Sequence, residues 1–164
     1  MTIRFGILTV SDRSARRERT DVSGPVLAAL ILSKGWSIVQ QEIVADELDA
    51  IRDLLLNWAD HDVCDVVLTT GGTGFAPRDI TPEATRTVIE REAPGLAEAM
   101  RAASLKITPH AMLSRVVAGV RKRTLIINLP GSPKGAVENL QVVLPVLSHA
   151  VQLMRDDPAS EASH

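Results

Sequence analysis

The chain has 164 residues, of which 45% are hydrophobic and 23% charged, a balance that fits a globular domain with a core and excludes a disordered chain. A net charge of −2 and an aromatic content of 2% argue against a nucleic-acid binder that works through bulk charge or base stacking. The apolar run at 5–10 is too short for a membrane span, and the single cysteine, Cys64, excludes an intramolecular disulfide, so we expect a cytoplasmic protein.

Strands and helices alternate through the first half of the chain. Strands are predicted at 3–10, 36–45 and 66–70, where apolar and β-branched residues dominate. A polar loop at 14–20 leads into a helix that begins at 23–25 and closes at Gly35. A second helix is predicted at 48–60, because its apolar residues recur at helical spacing.

The second half contains more helices and a predicted hairpin. A helix at 82–92 is expected to have Thr81 as its N-cap, and another starts at Pro94 and ends near residue 108. One helical turn at 111–115 precedes two strands at 116–120 and 124–129, which form a hairpin around 121–123. The last helix begins at Pro133, with Ser132 as its N-cap and a kink expected at Pro145.

This order of elements predicts an α/β fold with three layers. The sheet is expected to be mainly parallel, with an antiparallel hairpin strand and helices on both faces. We expect one domain at 1–155, followed by a polar, disordered tail at 156–164.

A glycine-rich loop follows the central predicted strand. Gly71, Gly72, Thr73 and Gly74 can present bare backbone N–H groups, and Arg78 and Asp79 stand just before the next helix. Such a unit is typical of an anion site, although a tight strand-to-helix turn that needs glycine explains the spacing as well. The pattern is neither a Walker A loop nor a dinucleotide-binding fingerprint.

Polar residues also follow the other predicted strands. In open α/β sheets, ligands bind beyond the carboxyl ends of the strands, which collects these residues at one edge. Three carboxylates, backbone amides and basic groups there would suit Mg²⁺ and a phosphate ligand, whereas each aspartate taken singly is better explained as a helix cap or a solvated loop residue. The residues collected in this way are Ser11, Asp12, Asp46, Gly71 to Asp79, Pro130, Gly131, Ser132 and Lys134.

Other candidate groups fit a structural role better. The four histidines lack metal-ligand spacing, and Ser132 has no nucleophile elbow around it. The arginines at 13–19 are interpreted as a solvated loop, which could alternatively fold over substrate phosphates.

Several motifs in fixed order resemble the molybdopterin-binding domain family, and most of all its adenylyltransferase branch. The resemblance covers about residues 3–154. It rests on VSDR at 10–13, DVSGP at 21–25, TTGGTG at 69–74, PRDITPE at 77–83, PG at 94–95, SL at 104–105, MLSR at 112–115 and NLPG at 128–131.

The resemblance implies a homotrimer that joins AMP from Mg·ATP to the phosphate of molybdopterin and releases pyrophosphate. The two essential acids of the family match Asp46 and Asp79, which would hold Mg²⁺, and the glycine loop would bind nucleotide phosphate. Ser104 and Arg115 would help to hold the pterin or its phosphate. The downstream molybdenum-insertion protein is a candidate partner, and neither nucleic acid nor membrane is expected as one.

A departure from the family pattern stands in the first loop, and two alternatives are open. The loop after the first strand usually carries a glycine in this family, where this chain has Arg16 and Arg17. The alternatives are a protein of the related MoaB type and a carrier that binds molybdopterin without chemistry. A carrier needs the pterin pocket but no pair of metal-holding acids, so the presence of both Asp46 and Asp79 favours the enzyme.

Overall fold

A six-stranded sheet runs through the computed structural model, which describes residues 1–157. The strands are β1 (Arg4–Val10), β2 (Ser37–Val44), β3 (Val66–Thr70), β4 (Arg91–Glu92), β5 (Ala118–Arg121) and β6 (Thr124–Leu129). Their order is β2-β1-β3-β6-β5-β4. The first four of these are parallel, and β5 pairs antiparallel with β6 and β4, which confirms the mainly parallel sheet with a hairpin.

Helices cover both faces of this sheet. They are α1 (Asp12–Ala15), α2 (Ser23–Ser33), α3 (Leu48–Asp60), α4 (Thr81–Val88), α5 (Pro94–Leu105) and α6 (Pro133–Met154), with a 3₁₀ turn at Pro109–Leu113. Buried residues of α2, α5 and α6 share one hydrophobic core, and those of α3 and α4 share another. The predicted three-layer arrangement is therefore confirmed.

Strand β1 shows why the sequence forms a central strand. Phe5 and Ile7 point into the larger core, and Leu8 and Val10 into the smaller one, all four being buried. Successive side chains of a strand face opposite sides, so a strand that is apolar at nearly every position must lie between two layers. Each such side chain stabilises the fold by about 1.5–3 kcal/mol through burial.

The helix predicted at 82–92 is shorter than expected. It ends at Val88, and Arg91–Glu92 forms the edge strand β4. The N–H groups of Glu90 and Ala93 donate to the carbonyls of Val120 and Ala118, so pairing with β5 replaces the last helical turn. Helical spacing in the sequence could not reveal this long-range competitor.

Two local predictions were also wrong, the first only in part, because residues 16–20 do lie outside any helix or strand. The predicted polar loop at 14–20 overlaps the short helix α1, which is capped because the Ser11 hydroxyl accepts from the Ser14 N–H at 3.2 Å. Thr81 is not an N-cap but the first residue of α4, and its hydroxyl instead donates to the Gly71 carbonyl at 2.9 Å. The predicted caps of the last helix are confirmed, with Ser132 as N-cap and Pro133 first.

Residues 158–164 of the predicted tail lie outside the described residues. Within residues 1–157, no helix combines the length and the apolar character that crossing a membrane requires.

Arg17 adopts a backbone conformation that normally favours glycine. It follows the C-cap of α1 and has a φ of 60°, in the left-handed region. A glycine there costs no steric strain, whereas a side chain does. The glycine that the family resemblance leads one to expect in this loop therefore has a geometric reason at this position.

We expect Arg17→Gly to stabilise the protein by about 1 kcal/mol, because the strain of a side chain in the left-handed region is removed. Thermal unfolding should then shift upward by about 2–4 °C. The control is Arg16→Gly, because Arg16 has an unstrained φ of −83° and gains nothing from glycine. Equal stabilisation by both variants would contradict the explanation.

Asp65 joins the amino-terminal ends of two strands to the end of α6. Its side chain is only 2% exposed. Its carboxylate accepts from the Arg4 backbone N–H at 2.8 Å, from the Arg4 guanidinium at 2.9 Å and from Arg155 at 2.5 Å. Burial alone would raise the pKa of this carboxyl, but the hydrogen bonds from both arginines outweigh it and lower the pKa.

We expect Asp65→Asn to lower the free energy of unfolding by about 3 kcal/mol, because two guanidinium groups lose a buried partner. Asp62→Asn is the matched control, since Asp62 pairs with the same Arg4 but is 58% exposed, and it should change stability by less than about 0.5 kcal/mol.

Urea denaturation over a series of pH values tests whether the negative charge of Asp65 is responsible for this stabilisation. Folding lowers the pKa of Asp65, so its contribution is present above about pH 4 and is lost as the pH falls through the lower native pKa. The difference in free energy of unfolding between the wild type and Asp65→Asn should therefore become smaller at acidic pH. A gap independent of pH would show that the charge is not responsible.

Candidate active site

The glycine loop after β3 touches the ends of both neighbouring strands. Gly71 donates its N–H to the Leu129 carbonyl at 3.2 Å, at the end of β6. Its φ is +102°, and a Cβ on Gly71 would overlap the carbonyl oxygen of Val10, at the end of β1. A Cβ on Gly131 would lie 3.2 Å from the Gly71 α-carbon. Three strand ends therefore meet at a residue that has no room for a side chain.

The next loop residues bring the backbone against two of the predicted acids. Gly72 has a φ of +67°, and a Cβ there would overlap the Thr81 hydroxyl and lie 3.1 Å from an Asp46 carboxylate oxygen. A Cβ on Gly74 would lie 3.0 Å from an Asp79 carboxylate oxygen. Since the two glycines are two positions apart, their α-carbons are at most about 7.6 Å apart. Asp46 and Asp79 thus flank one short stretch of loop.

Asp12 and Asp46 hold each other through their backbones. The Asp12 N–H donates to the Asp46 carboxylate at 2.8 Å, and the Asp46 N–H donates to the Asp12 carboxylate at 3.0 Å. Glu47, not Asp46, is the N-cap residue of α3, so the alternative that Asp46 merely caps this helix is wrong. The ends of β1 and β2 are therefore linked by two acids, as the topology rule predicts.

This arrangement concentrates negative charge. Burial raises the pKa of the Asp46 carboxyl, and the charges of Asp12 and Asp79 add to that effect, against the hydrogen bond from the Asp12 N–H. Arg78 supplies positive charge, and its hydrogen bonds hold the pKa of the Asp12 carboxyl below its usual range. Like charges gathered around a half-buried acid are a common feature of sites that bind a cation or perform chemistry.

Arg78 is bound to two carboxylates. Its guanidinium donates to both oxygens of Asp12, at 2.5 and 3.1 Å, and to Glu47 at 2.7 Å. Glu47 was missed as a candidate in the sequence. Glu47 follows Asp46 directly, after a strand that ends at the same edge of the sheet, and the same topology rule could have identified it.

A cavity of about 370 Å³ opens beside the loop. It lies between the carboxyl ends of β1 and β3 and the N-termini of α2 and α6. Its walls carry hydroxyl groups, backbone and two ionisable side chains, and they include the predicted Ser11, Gly71, Gly131 and Ser132 together with Thr9, Ser14, Arg19, Asp21, Ser23 and Thr70. Hydroxyl and amide groups of this kind suit a polar, phosphorylated ligand.

Asp21 is a second residue that was missed. Its carboxylate accepts from the Thr9 hydroxyl at 2.8 Å and from the Gly24 N–H at 3.1 Å, which fixes the start of α2 against β1. The signal in the sequence was an acid placed three residues before a glycine at a helix start. The same carboxylate lines the cavity.

The remaining predicted residues fall into two groups. Thr73 and Arg115 belong to the loop and its support. The Thr73 carbonyl accepts a hydrogen bond from the Arg115 N–H at 2.9 Å. The Arg115 guanidinium donates to the carbonyls of Gly74 and Asp79 and to the Glu83 carboxylate. Lys134 is not drawn into this cluster, because its side chain is 82% exposed and lies 3.9 Å from Glu138 on the same helix.

Ser104 lies in a groove of about 200 Å³ between the end of α5 and the start of α6. It accepts a hydrogen bond from Asn139 at 3.0 Å. Pro130 and Ser132 line the same groove, so the loop after β6 borders both the groove and the cavity. Among residues 1–157, no three histidine, cysteine or acidic side chains are grouped so as to hold a metal ion by themselves.

Comparisons with known proteins identify a family. Residues 6–149 match the protein family described as "Probable molybdopterin binding domain". The chain is similar to the molybdopterin adenylyltransferase of Helicobacter pylori strain J99, with 45% identity over 93% of this chain and 88% of that protein. It is also 46% identical to gephyrin of Dictyostelium discoideum, but it spans only 23% of the length of that protein.

A solved structure of a molybdopterin biosynthesis enzyme has the same fold as this chain. The crystal structure of the molybdopterin biosynthesis enzyme MoaB from Thermus thermophilus superposes with a TM-score of 0.90 and 53% identity. The match covers 96% of this chain and 99% of the other.

We expect Gly71→Ala to lower the free energy of unfolding by about 3 kcal/mol or more, because the added Cβ meets a strand backbone and φ is unfavourable. Gly95→Ala is the control, since nothing lies within 4 Å of a Cβ there and Gly95 stands in the first turn of α5. That change should be neutral or stabilising by up to about 1 kcal/mol. Chemical denaturation measures both, and similar losses would contradict the close approach at Gly71.

Proposed function

The chain belongs to the family described as "Probable molybdopterin binding domain", and from this premise we propose that it is a molybdopterin adenylyltransferase. It would transfer AMP from ATP to the phosphate of molybdopterin and release pyrophosphate, a step of molybdenum cofactor biosynthesis. The observation that carries the proposal is the pair of acids, Asp46 and Asp79, that flanks the glycine loop beside a cavity. A relative of 45% identity that carries this name supports it.

The reaction is an in-line displacement at phosphorus. An oxygen of the molybdopterin phosphate attacks the α-phosphorus of ATP and forms a new P–O bond. The bond from the α-phosphorus to the bridging oxygen breaks, and pyrophosphate leaves with the electron pair. Such a step needs positioning and charge neutralisation more than a covalent nucleophile.

The residues would divide this work among them. The amides of Gly72, Thr73 and Gly74 bind phosphate oxygens. Gly71, whose N–H is taken by the Leu129 carbonyl, lines the adjacent cavity, which holds the nucleotide through Ser11, Gly131 and Ser132. Arg78 and Lys134 meet negative charge, although Lys134 must turn from its resting position to do so. Ser104 and the groove around it receive the pterin. Arg115 keeps the loop in place through the carbonyls of Gly74 and Asp79.

Magnesium is part of the proposal. Mg²⁺ is normally held by one or two carboxylates together with substrate phosphates and water, so the carboxylates of Asp46 and Asp79 are a sufficient donor set. When bound, the ion would neutralise charge on the triphosphate. The half-buried Asp46, whose pKa is raised by burial and by two neighbouring acids, fits a position that a cation occupies during function.

A homotrimer, a cytoplasmic location and contact with the downstream molybdenum-insertion protein complete the proposal. These three features rest on the family resemblance and on the composition. Nucleic acid and membrane are not proposed as partners.

A second candidate function is favoured by a specific observation. The MoaB protein of Thermus thermophilus shares 53% identity with this chain, more than the named adenylyltransferase compared above. A carrier without chemistry, the other alternative, would bind molybdopterin but release no pyrophosphate from ATP.

We expect Asp79→Ala to lower the rate of AMP transfer by about 100-fold or more, because the acid that orients the triphosphate is lost. The protein should remain folded and still bind molybdopterin. Pyrophosphate release from a mixture of protein, molybdopterin and Mg·ATP measures the rate, and pterin fluorescence measures binding.

Asp53→Ala provides the control, since Asp53 is an exposed acid on α3 and pairs with Arg52. Its turnover should match that of the wild type. Near-normal turnover in Asp79→Ala would remove Asp79 from the site. Tight pterin binding by the wild type without any pyrophosphate would favour the carrier.

A further inference from the structure

Arg78 connects the acids of the site before any ligand is present. Its guanidinium chelates Asp12 and also donates to Glu47. These bonds raise the pKa of the guanidinium further above its ordinary value, so it stays charged. The arginine that is suited to bind phosphate is therefore already occupied by carboxylates.

The two sets of contacts made by Asp12 differ in how firmly they are held. The hydrogen bonds between Asp12 and Asp46 use backbone N–H groups, which cannot leave without distorting the ends of β1 and β2. The contacts with Arg78 use a side chain that is 56% exposed. Ion pairs at the surface contribute little to stability, so solvent and a stronger anion can displace them at low cost.

A phosphate is such an anion. Guanidinium binds carboxylate and phosphate with the same two-pronged geometry, and the triphosphate of a nucleotide as a whole carries more charge than one carboxylate. Departure of Arg78 would leave Asp12, Glu47 and the neighbouring Asp46 without this cation, so their negative charge would attract a divalent ion more strongly. Exchange of Arg78 and entry of a metal–nucleotide complex therefore favour each other.

We propose that Arg78 is a positioning residue that holds Asp12, and through it Asp46, in the unliganded protein, and that it moves from Asp12 to phosphate when metal and nucleotide bind. Glu47 is the second anchor of Arg78 in the unliganded state. The move to phosphate rests on the proposed function, whereas the competition between Arg78 and a cation for the acids does not.

Binding of Mn²⁺ to the full chain without nucleotide, followed by electron paramagnetic resonance, tests this competition. We expect Arg78→Gln to bind Mn²⁺ about fivefold more tightly than the wild type, because one positive charge next to the acids is removed. Arg78→Lys keeps the charge and should stay within about twofold of the wild type.

Arg52→Gln is the matched control, since Arg52 is a partly exposed arginine on α3 that also bridges two acids, Asp49 and Asp53. The affinity of Arg52→Gln for Mn²⁺ should equal that of the wild type. Unchanged or weaker Mn²⁺ binding by Arg78→Gln overturns the proposal, as does the absence of binding in both proteins.

A crystal structure with Mg²⁺ and the non-hydrolysable analogue α,β-methylene-ATP tests the exchange directly. The Arg78 guanidinium should lie beyond hydrogen-bond distance, about 3.5 Å, from Asp12 and contact a phosphate oxygen. Arg78 still chelating Asp12 beside the bound nucleotide would overturn the exchange. If the wild type releases no pyrophosphate, the proposed adenylyltransferase activity is rejected. The Mn²⁺ measurements then still test whether Arg78 competes with a cation for the acids.

Discussion

The close approach of three strand ends at Gly71 is the constraint on which the site depends. The residue lies against the Val10 carbonyl, bonds to the Leu129 carbonyl and accepts from the Thr81 hydroxyl. Each contact joins the loop to a different element, so the ends of β1 and β6 and the start of α4 share one position. Because a Cβ cannot be accommodated, the loop carries no side chain at the residue that lines the cavity, so a ligand can approach the backbone closely there.

Two like charges are placed beside this loop at a cost. Asp46 is half buried and close to Asp12 and Asp79, which its raised pKa reflects. The reciprocal backbone hydrogen bonds between Asp12 and Asp46 offset part of that cost and fix the direction of both carboxylates. A site that is held by backbone groups keeps its geometry when side chains rearrange. The backbone donors to Asp12 and Asp46 therefore stay in place when the Arg78 side chain exchanges partners.

Two arginines serve the loop in different ways, and their exposure explains the difference. Arg115 is partly buried and donates to two loop carbonyls and to Glu83, which anchors the loop between β3 and α4. Arg78 is more than half exposed and binds only side chains. The first is therefore suited to support, and the second to exchange between partners. Residue type alone does not separate these roles, because both are arginines next to the same glycines.

The sequence by itself determined the layered fold, the strand β3, the glycine loop and the edge at which acids gather, because apolar periodicity and the parallel-strand rule act locally or through topology. Only the tertiary structure decided the end of α4 at Val88, the contact of Thr81 with Gly71, and the parts taken by Glu47 and Asp21. Each of these depends on a partner in another element, 10 residues away for Thr81, 12 for Asp21 and 31 for Glu47, that no local pattern identifies. The guanidinium of Arg78 likewise binds both Asp12 and Glu47 only because three loops meet in space.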